Sequence, residues 1–213
     1  MKKQKLVNSF TKTILPLGLI VSSLGTASFA DESNKGFYVT AGIGAGNIGD
    51  STATPQGGAA ATATFGSGTT GEFGFGYDFG NDIRTELTYG TLSGDLQTFG
   101  AATTFPTGTA SVTLKGINLN IFKDFSNDSR FTPYLGAGLS STTLDATQID
   151  QVAAGSGTAM GYNLKAGSSY EISNNTDFYG EFAYSTVNDI TASTISYTKL
   201  STSSFNAGIR FRF

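Results

Sequence analysis

Residues 205–213 read Phe-Asn-Ala-Gly-Ile-Arg-Phe-Arg-Phe. Successive side chains of a strand point to opposite faces. Phe205, Ala207, Ile209, Phe211 and Phe213 therefore share one face, and Asn206, Gly208, Arg210 and Arg212 share the other. The pattern recurs seven times upstream. It is carried by Phe37, Val39, Ala41 and Ile43; by Phe73, Phe75, Tyr77 and Phe79; and by Ile83, Thr85, Leu87 and Tyr89. Ile117, Leu119 and Ile121, then Leu135, Ala137 and Leu139, repeat it. Met160, Tyr162, Leu164 and Ala166 follow, then Phe178, Phe182 and Tyr184. The residues between them are mostly Gly or polar. Eight strands are expected.

The connections alternate in length. Segments 79–83, 123–131 and 173–177 are short and turn-like, whereas 46–68, 93–109, 141–157 and 187–196 are longer and rich in Thr, Ser, Ala and Gly. Short turns on one side and long loops on the other are the pattern of a transmembrane up-and-down β-barrel, with the turns and both termini periplasmic. One barrel domain over 31–213 is expected.

The first thirty residues differ from the rest. Lys2, Lys3 and Lys5 precede a short apolar run from Ile14 to Val21, and Ser28-Phe29-Ala30 places small residues before a cut. This is a secretory signal peptide, 1–30, with cleavage expected after Ala30. The apolar run is too short to span a bilayer as a helix. No Cys follows the cut, so no lipid anchor is expected. The remainder carries 9 basic and 16 acidic residues, a net charge of −7. That charge argues against a nucleic-acid partner.

The face opposite the aromatics decides between a soluble and a membrane barrel. A soluble barrel turns its apolar face inward. Here the other face holds Glu72, Arg84, Glu86, Lys165, Glu171, Glu181, Arg210 and Arg212, interspersed with Gly. Four acids and four bases inside a narrow bore predict a plugged lumen, with lipid outside. Glu181 and Arg210 are expected at similar depth on neighbouring strands. Asp78 and Arg84 flank the Gly80-Asn81-Asp82 turn. Such pairs read either as a switchable gate or as a structural network satisfying charges that are costly to bury alone. The structural reading is preferred. An aromatic girdle at the periplasmic interface is expected from Phe205, Phe211, Phe213, Tyr77, Phe79, Tyr170 and Phe178.

One strand is irregular. Val112 and Leu114 have the opposite parity to Ile117, Leu119 and Ile121, which puts Lys115 on the lipid side. A β-bulge near Lys115-Gly116 would repair the pattern. Otherwise Lys115 lies beyond the hydrocarbon.

Several chemistries are excluded or weak. The chain has no Cys, no His and no Trp. A His-activated Ser nucleophile is impossible, and no thiolate or imidazole metal site can form. No catalytic, cofactor or metal site is expected. Gly44-Ala45-Gly46-Asn47-Ile48-Gly49 matches G-x-G-x-x-G, but loop residues rather than a helix follow it. Asp145 and Asp150 have no Ca²⁺-loop spacing. Asn127-Asp128-Ser129 and Asn174-Asn175-Thr176 are read as turn residues.

Three stretches carry a family resemblance. They are Ile83-Arg84-Thr85-Glu86-Leu87-Thr88-Tyr89, Thr132-Pro133-Tyr134-Leu135-Gly136-Ala137-Gly138-Leu139, and the ending at Phe213. With them the chain resembles OmpA-type outer membrane β-barrels, in the small opacity-protein-like branch. The resemblance implies an eight-stranded barrel in a bacterial outer membrane. It also implies that Phe211 and Phe213 form the C-terminal signal read by the barrel-assembly machinery. The partners implied are outer membrane lipids and that machinery, and a monomer is expected. No peptidoglycan-binding domain follows the barrel in this sequence, which argues against wall tethering. The functions implied are a non-enzymatic envelope or loop-display role, then a narrow porin-like channel, then an adhesin.

Overall fold

The computed structural model describes residues 35–100, 103–106, 108–146, 155–198 and 200–213. The expected signal peptide and Ala30 lie outside these residues. Every regular element among them is a strand: β1 (Gly36–Ile48), β2 (Ser51–Pro55), β3 (Ala61–Phe65), β4 (Ser67–Asp78), β5 (Ile83–Phe99), β6 (Thr103–Thr104), β7 (Ser111–Asp124), β8 (Phe131–Ala146), β9 (Gly155–Ser173), β10 (Thr176–Val187), β11 (Ile190–Ala192), β12 (Ile195–Thr198) and β13 (Leu200–Arg212).

Eight of them close a barrel. The order is β1-β4-β5-β7-β8-β9-β10-β13, each pair antiparallel. β13 returns to β1, with Tyr38 opposite Arg212 and Ile48 opposite Thr202. Closure leaves no sheet edge in lipid, which a membrane-spanning sheet requires. The tight turn after β4 uses left-handed backbone at Gly80 and Asp82, with φ of 75° and 62°. Asp78 supports it by accepting the Gly80 N–H at 2.9 Å.

The outer wall carries an apolar belt. Phe75, Leu87, Leu119, Leu135, Leu164 and Ile209 each leave about half of their surface open to lipid. From Phe131 to Leu139, nine residues of ~3.3 Å rise on a strand tilted ~40° span roughly 23 Å. That matches the ~25 Å apolar band of such barrels. At the periplasmic rim Phe37, Tyr77 and Phe79 pack edge to face in sequence, with centroids 4.8 and 5.1 Å apart. Phe211 lies 5.5 Å from Phe213, and Phe131 4.8 Å from Tyr170. Phe205 does not join this girdle. Its partners are Ala45 and Phe182, at the far end of the belt, because eight residues of strand separate it from Phe213.

The wall changes character along one line. Thr91, Lys115, Thr143 and Thr158 are register partners across β5, β7, β8 and β9. At and beyond this line the outside is Ser, Thr and charge. Inside, polarity reverses in the opposite sense. Leu92, Leu114, Leu144, Val187, Leu200 and Ile48 form an apolar core there. No bulge exists at Lys115, where the register runs unbroken from Ile83 opposite Lys123 to Asp95 opposite Ser111. The parity switch at Val112 and Leu114 marks emergence from the membrane. Above the belt, water lies outside and apolar side chains must turn in.

The long segments expected as loops are largely strand. β5 runs on to Phe99, β8 to Ala146, and β9 begins at Gly155. On the other side the wall breaks near Gly49 and Gly66, then continues as a second sheet in the order β11-β12-β2-β3-β5, with β6 beside β5. This order copies β10-β13-β1-β4-β5 of the barrel. The second sheet is thus the barrel wall itself, bent over. Its inner face buries Ala53, Ala63, Phe65, Ile190, Ile195 and Tyr197. Its outer face is Thr52, Thr54, Thr62, Thr64, Thr98, Thr191, Ser196 and Thr198. The Ala–Thr alternation of Ala61-Thr62-Ala63-Thr64 is a strand pattern with small side chains.

Candidate functional site

The lumen is the polar centre of the molecule, and it is layered. Nearest the periplasm, Asp124 and Asp177 meet three Arg, and Asp78 lines the same layer. Arg84 is 1% exposed, and its Nε donates to both Asp124 oxygens at 3.1 Å. Its guanidinium lies 3.9 Å from the Phe122 ring centroid and 4.7 Å from that of Tyr134, two cation–π contacts with rings that meet edge to face. Arg210 reaches Asp177 at 3.3 Å, and Arg212 holds the same carboxylate through Nη1 at 3.0 Å and through Nη2. Asp78 lies opposite Arg84 in register, but the Arg84 side chain turns to Asp124 and, at 3.9 Å, to Glu86.

Above this sits a cluster around Lys165. Its Nζ lies 2.7 Å from Glu181 and 3.3 Å from Glu72. Tyr179 donates to Glu72 at 2.8 Å, Tyr134 to Glu181 at 3.1 Å, and Thr88 to Glu86 at 3.0 Å. Glycine makes this density possible. A Cβ at Gly136 would stand 2.5 Å from the Phe122 ring, and one at Gly208 2.5 Å from Tyr179.

The eight residues singled out from the sequence fall unequally. Glu72, Arg84, Glu86, Lys165, Glu181, Arg210 and Arg212 all enter the network. Glu171 is exposed at the periplasmic mouth. Glu181 and Arg210 are not partners: Asp177 lies opposite Arg210, and Asn206 opposite Glu181. Counting from the turn misplaced that pair by four residues. Asp124 and Asp177 were missed as lumen groups because turn-flanking Asp reads as turn chemistry. Their parity, shared with the inward Arg and Tyr residues, was the available signal.

Beyond the Lys165 cluster lies a chamber of about 100 Å³ between the charges and the apolar core. A second cavity of about 160 Å³ opens at the periplasmic mouth beside Asp78, Asp124, Arg210 and Arg212. No group of three or more Asp or Glu positioned for a metal ion occurs among the described residues.

Two exposed pairs flank the belt. In a periplasmic turn Asp82 accepts from Ser126 at 2.6 Å and from Lys123 at 3.0 Å. These bonds hold its carboxyl below the usual Asp range. On the outer side Lys115 meets Asp145 at 2.7 Å. That bond draws Asp145 down and Lys115 up from their ordinary values. Asp150 lies outside the described residues.

Comparison with known proteins places this architecture. The family model of the outer membrane protein beta-barrel domain matches residues 17–213. A Rickettsia canadensis (strain McKiel) protein named "Putative adhesin" is 28% identical over 215 residues, covering 89% of this chain and 84% of its own. Among solved structures, OprG from Pseudomonas aeruginosa is similar with a TM-score of 0.63 at 15% identity, covering 85% of this chain and all of its own. Neisserial surface protein A gives 0.60 at 22% identity, covering 83% of this chain and 97% of its own. These structural likenesses concern the fold.

Proposed function

This chain belongs to the outer membrane protein β-barrel family and lies in the bacterial outer membrane, and from that premise we propose that it is a sealed, non-enzymatic barrel that displays a folded β-head outside the cell. The observation that carries this is the double closure of the lumen. A solute would have to pass the Arg–Asp and Lys165 layers. It would then meet the apolar core of Leu92, Leu114, Leu144 and Leu200, each at most 7% exposed. A channel would have to carry polar solute past that apolar core. No histidine is available to activate a serine nucleophile.

The head is built as a platform rather than as loops. Its core fixes the backbone, and its outer face is hydroxyl-rich and nearly free of charge. That face supports attachment as the use of the platform, in keeping with the name of the rickettsial relative. Aromatic anchors, which usually carry binding energy, are scarce on it, so an envelope-stabilising role stands beside attachment.

Planar-bilayer recording tests the sealed reading. No steady single-channel current is expected from the folded protein, and discrete reproducible openings would refute it. Electrophoresis with and without boiling checks the fold, since a folded barrel shifts in mobility on heating.

A further inference from the structure

The buried charges do not balance. The described lumen holds Asp78, Asp124, Asp177, Glu72, Glu86 and Glu181, against Arg84, Arg210, Arg212 and Lys165. The periplasmic layer matches three carboxylates with three guanidiniums. The upper cluster has three carboxylates and one ammonium. Lys165 is already shared between Glu181 and Glu72. Glu86 has only the far side of Arg84, at 3.9 Å, and that guanidinium is held by Asp124 at 3.1 Å. Two negative charges are left over inside a membrane-embedded bore, where unpaired charge is expensive.

The chamber lies directly against this cluster, with Glu72 and Lys165 in its wall. At ~30 Å³ per water, about 100 Å³ holds an ion with two or three waters. Its remaining polar wall is neutral and includes the side-chain oxygens of Asn118, Asn163, Asn206, Thr70 and Thr142. A second observation points the same way. Asn163 is 2% exposed and lines the chamber, yet neither its Oδ1 nor its Nδ2 has a hydrogen-bond partner. Nearby Asn120 Oδ1 and Ser140 Oγ are also unpartnered. Buried amides are normally satisfied. Space is left by two facing glycines, Gly90 and Gly116. A Cβ there would find its nearest atom at 3.8 and 3.5 Å.

We propose that the chamber between Glu72 and Asn163 binds a monovalent alkali cation, sodium or potassium, as the counter-charge that the lumen lacks. One carboxylate with amide and hydroxyl oxygens is the donor set of such an ion, whose water shell neutral oxygens can replace. A divalent ion would call for several converging carboxylates, and no group of three or more is placed for one among the described residues.

The test refolds the full chain from urea into detergent, at each of two pH values and at equal concentration of sodium, potassium or choline chloride. The midpoint of the heat-induced mobility shift is then measured. Sodium or potassium is expected to raise it by roughly 5 °C over choline. Asn163→Leu and Gly90→Leu, which remove a donor and fill the space, should erase the difference. Crystals grown from protein refolded in rubidium chloride should show an anomalous peak in the chamber, which decides the matter if either variant fails to fold. Equal midpoints in all three salts would overturn the proposal. So would a cation preference surviving both variants, a rubidium peak absent from the chamber, or a midpoint that follows pH with no cation preference, which would mean that protons neutralise the excess.

Discussion

Replacing Lys165 with Met asks what the upper cluster is worth. Met keeps most of the side-chain volume and removes the charge. Lys165 Nζ stands 2.7 Å from Glu181 and 3.3 Å from Glu72. At an effective dielectric of ~20, each contact carries a gross attraction of about 5–6 kcal/mol. Desolvation of the three ions offsets most of that in the intact protein. Removing the cation alone gives nothing back, since the carboxylates remain buried. The expected loss of folding stability is therefore about 3–5 kcal/mol. It would be read as a lowered urea midpoint for the loss of heat-modifiable mobility in lipid vesicles. Lys123 supplies the control. It holds Asp82 at a similar 3.0 Å, but with both side chains more than 40% open, so Lys123→Met should leave the midpoint unchanged within error. Adding Glu181→Gln to Lys165→Met should recover part of the loss. Equal midpoints for the two Lys variants would refute the reasoning, because burial would then not set the worth of the pair.

Leu144→Ala in the outer core should cost about 2–5 kcal/mol, since Leu144 is fully buried. The same variant should expose the head to protease added outside folded vesicles. Gly44→Ala should block formation of the heat-modifiable form, because its Cβ would lie 2.0 Å from the Phe205 carbonyl, whereas Gly90→Ala, with 3.8 Å clear, should fold. The Asp82 carboxyl should titrate below its ordinary value of 3.8 in an NMR pH series, and Ser126→Ala should raise it toward that value. Its folded value is depressed, so its contribution is present above the ordinary value and disappears as pH falls through the folded one.

The barrel was legible because lipid and lumen impose opposite demands on alternate residues. Ile117, Leu119 and Ile121 against Asn118 and Asn120 could hardly be read otherwise. The head was not legible, since the same rule runs backwards once the strand leaves the bilayer. Leu114 and Lys115 look like an error of parity until the solvent on each side is known. Thr52-Ala53-Thr54 has strand periodicity without bulk, so it passes for loop. Partnerships inside the lumen were least accessible. Lys165 reaches across the bore from β9 to Glu72 on β4 as well as to Glu181 on the neighbouring strand, and Arg84 passes over Asp78, opposite it, for Asp124, choices that register alone does not make.

The hydroxyl coat of the head also bears on how the protein reaches its final state. Every residue beyond the Thr91–Lys115–Thr143 line must cross the bilayer during insertion, before the apolar core it will line has formed. A head surfaced with Lys and Glu would carry a large transfer penalty on that passage, about 2–4 kcal/mol for each basic side chain at the bilayer midplane. Thr and Ser lower that toll while still wetting the surface afterwards. The apolar face, moreover, matches the lipid through which it travels. The composition that made these segments look featureless is thus a solution to transit: strands neutral enough to be pushed through oil, and able to fold only after all of them have arrived on the far side.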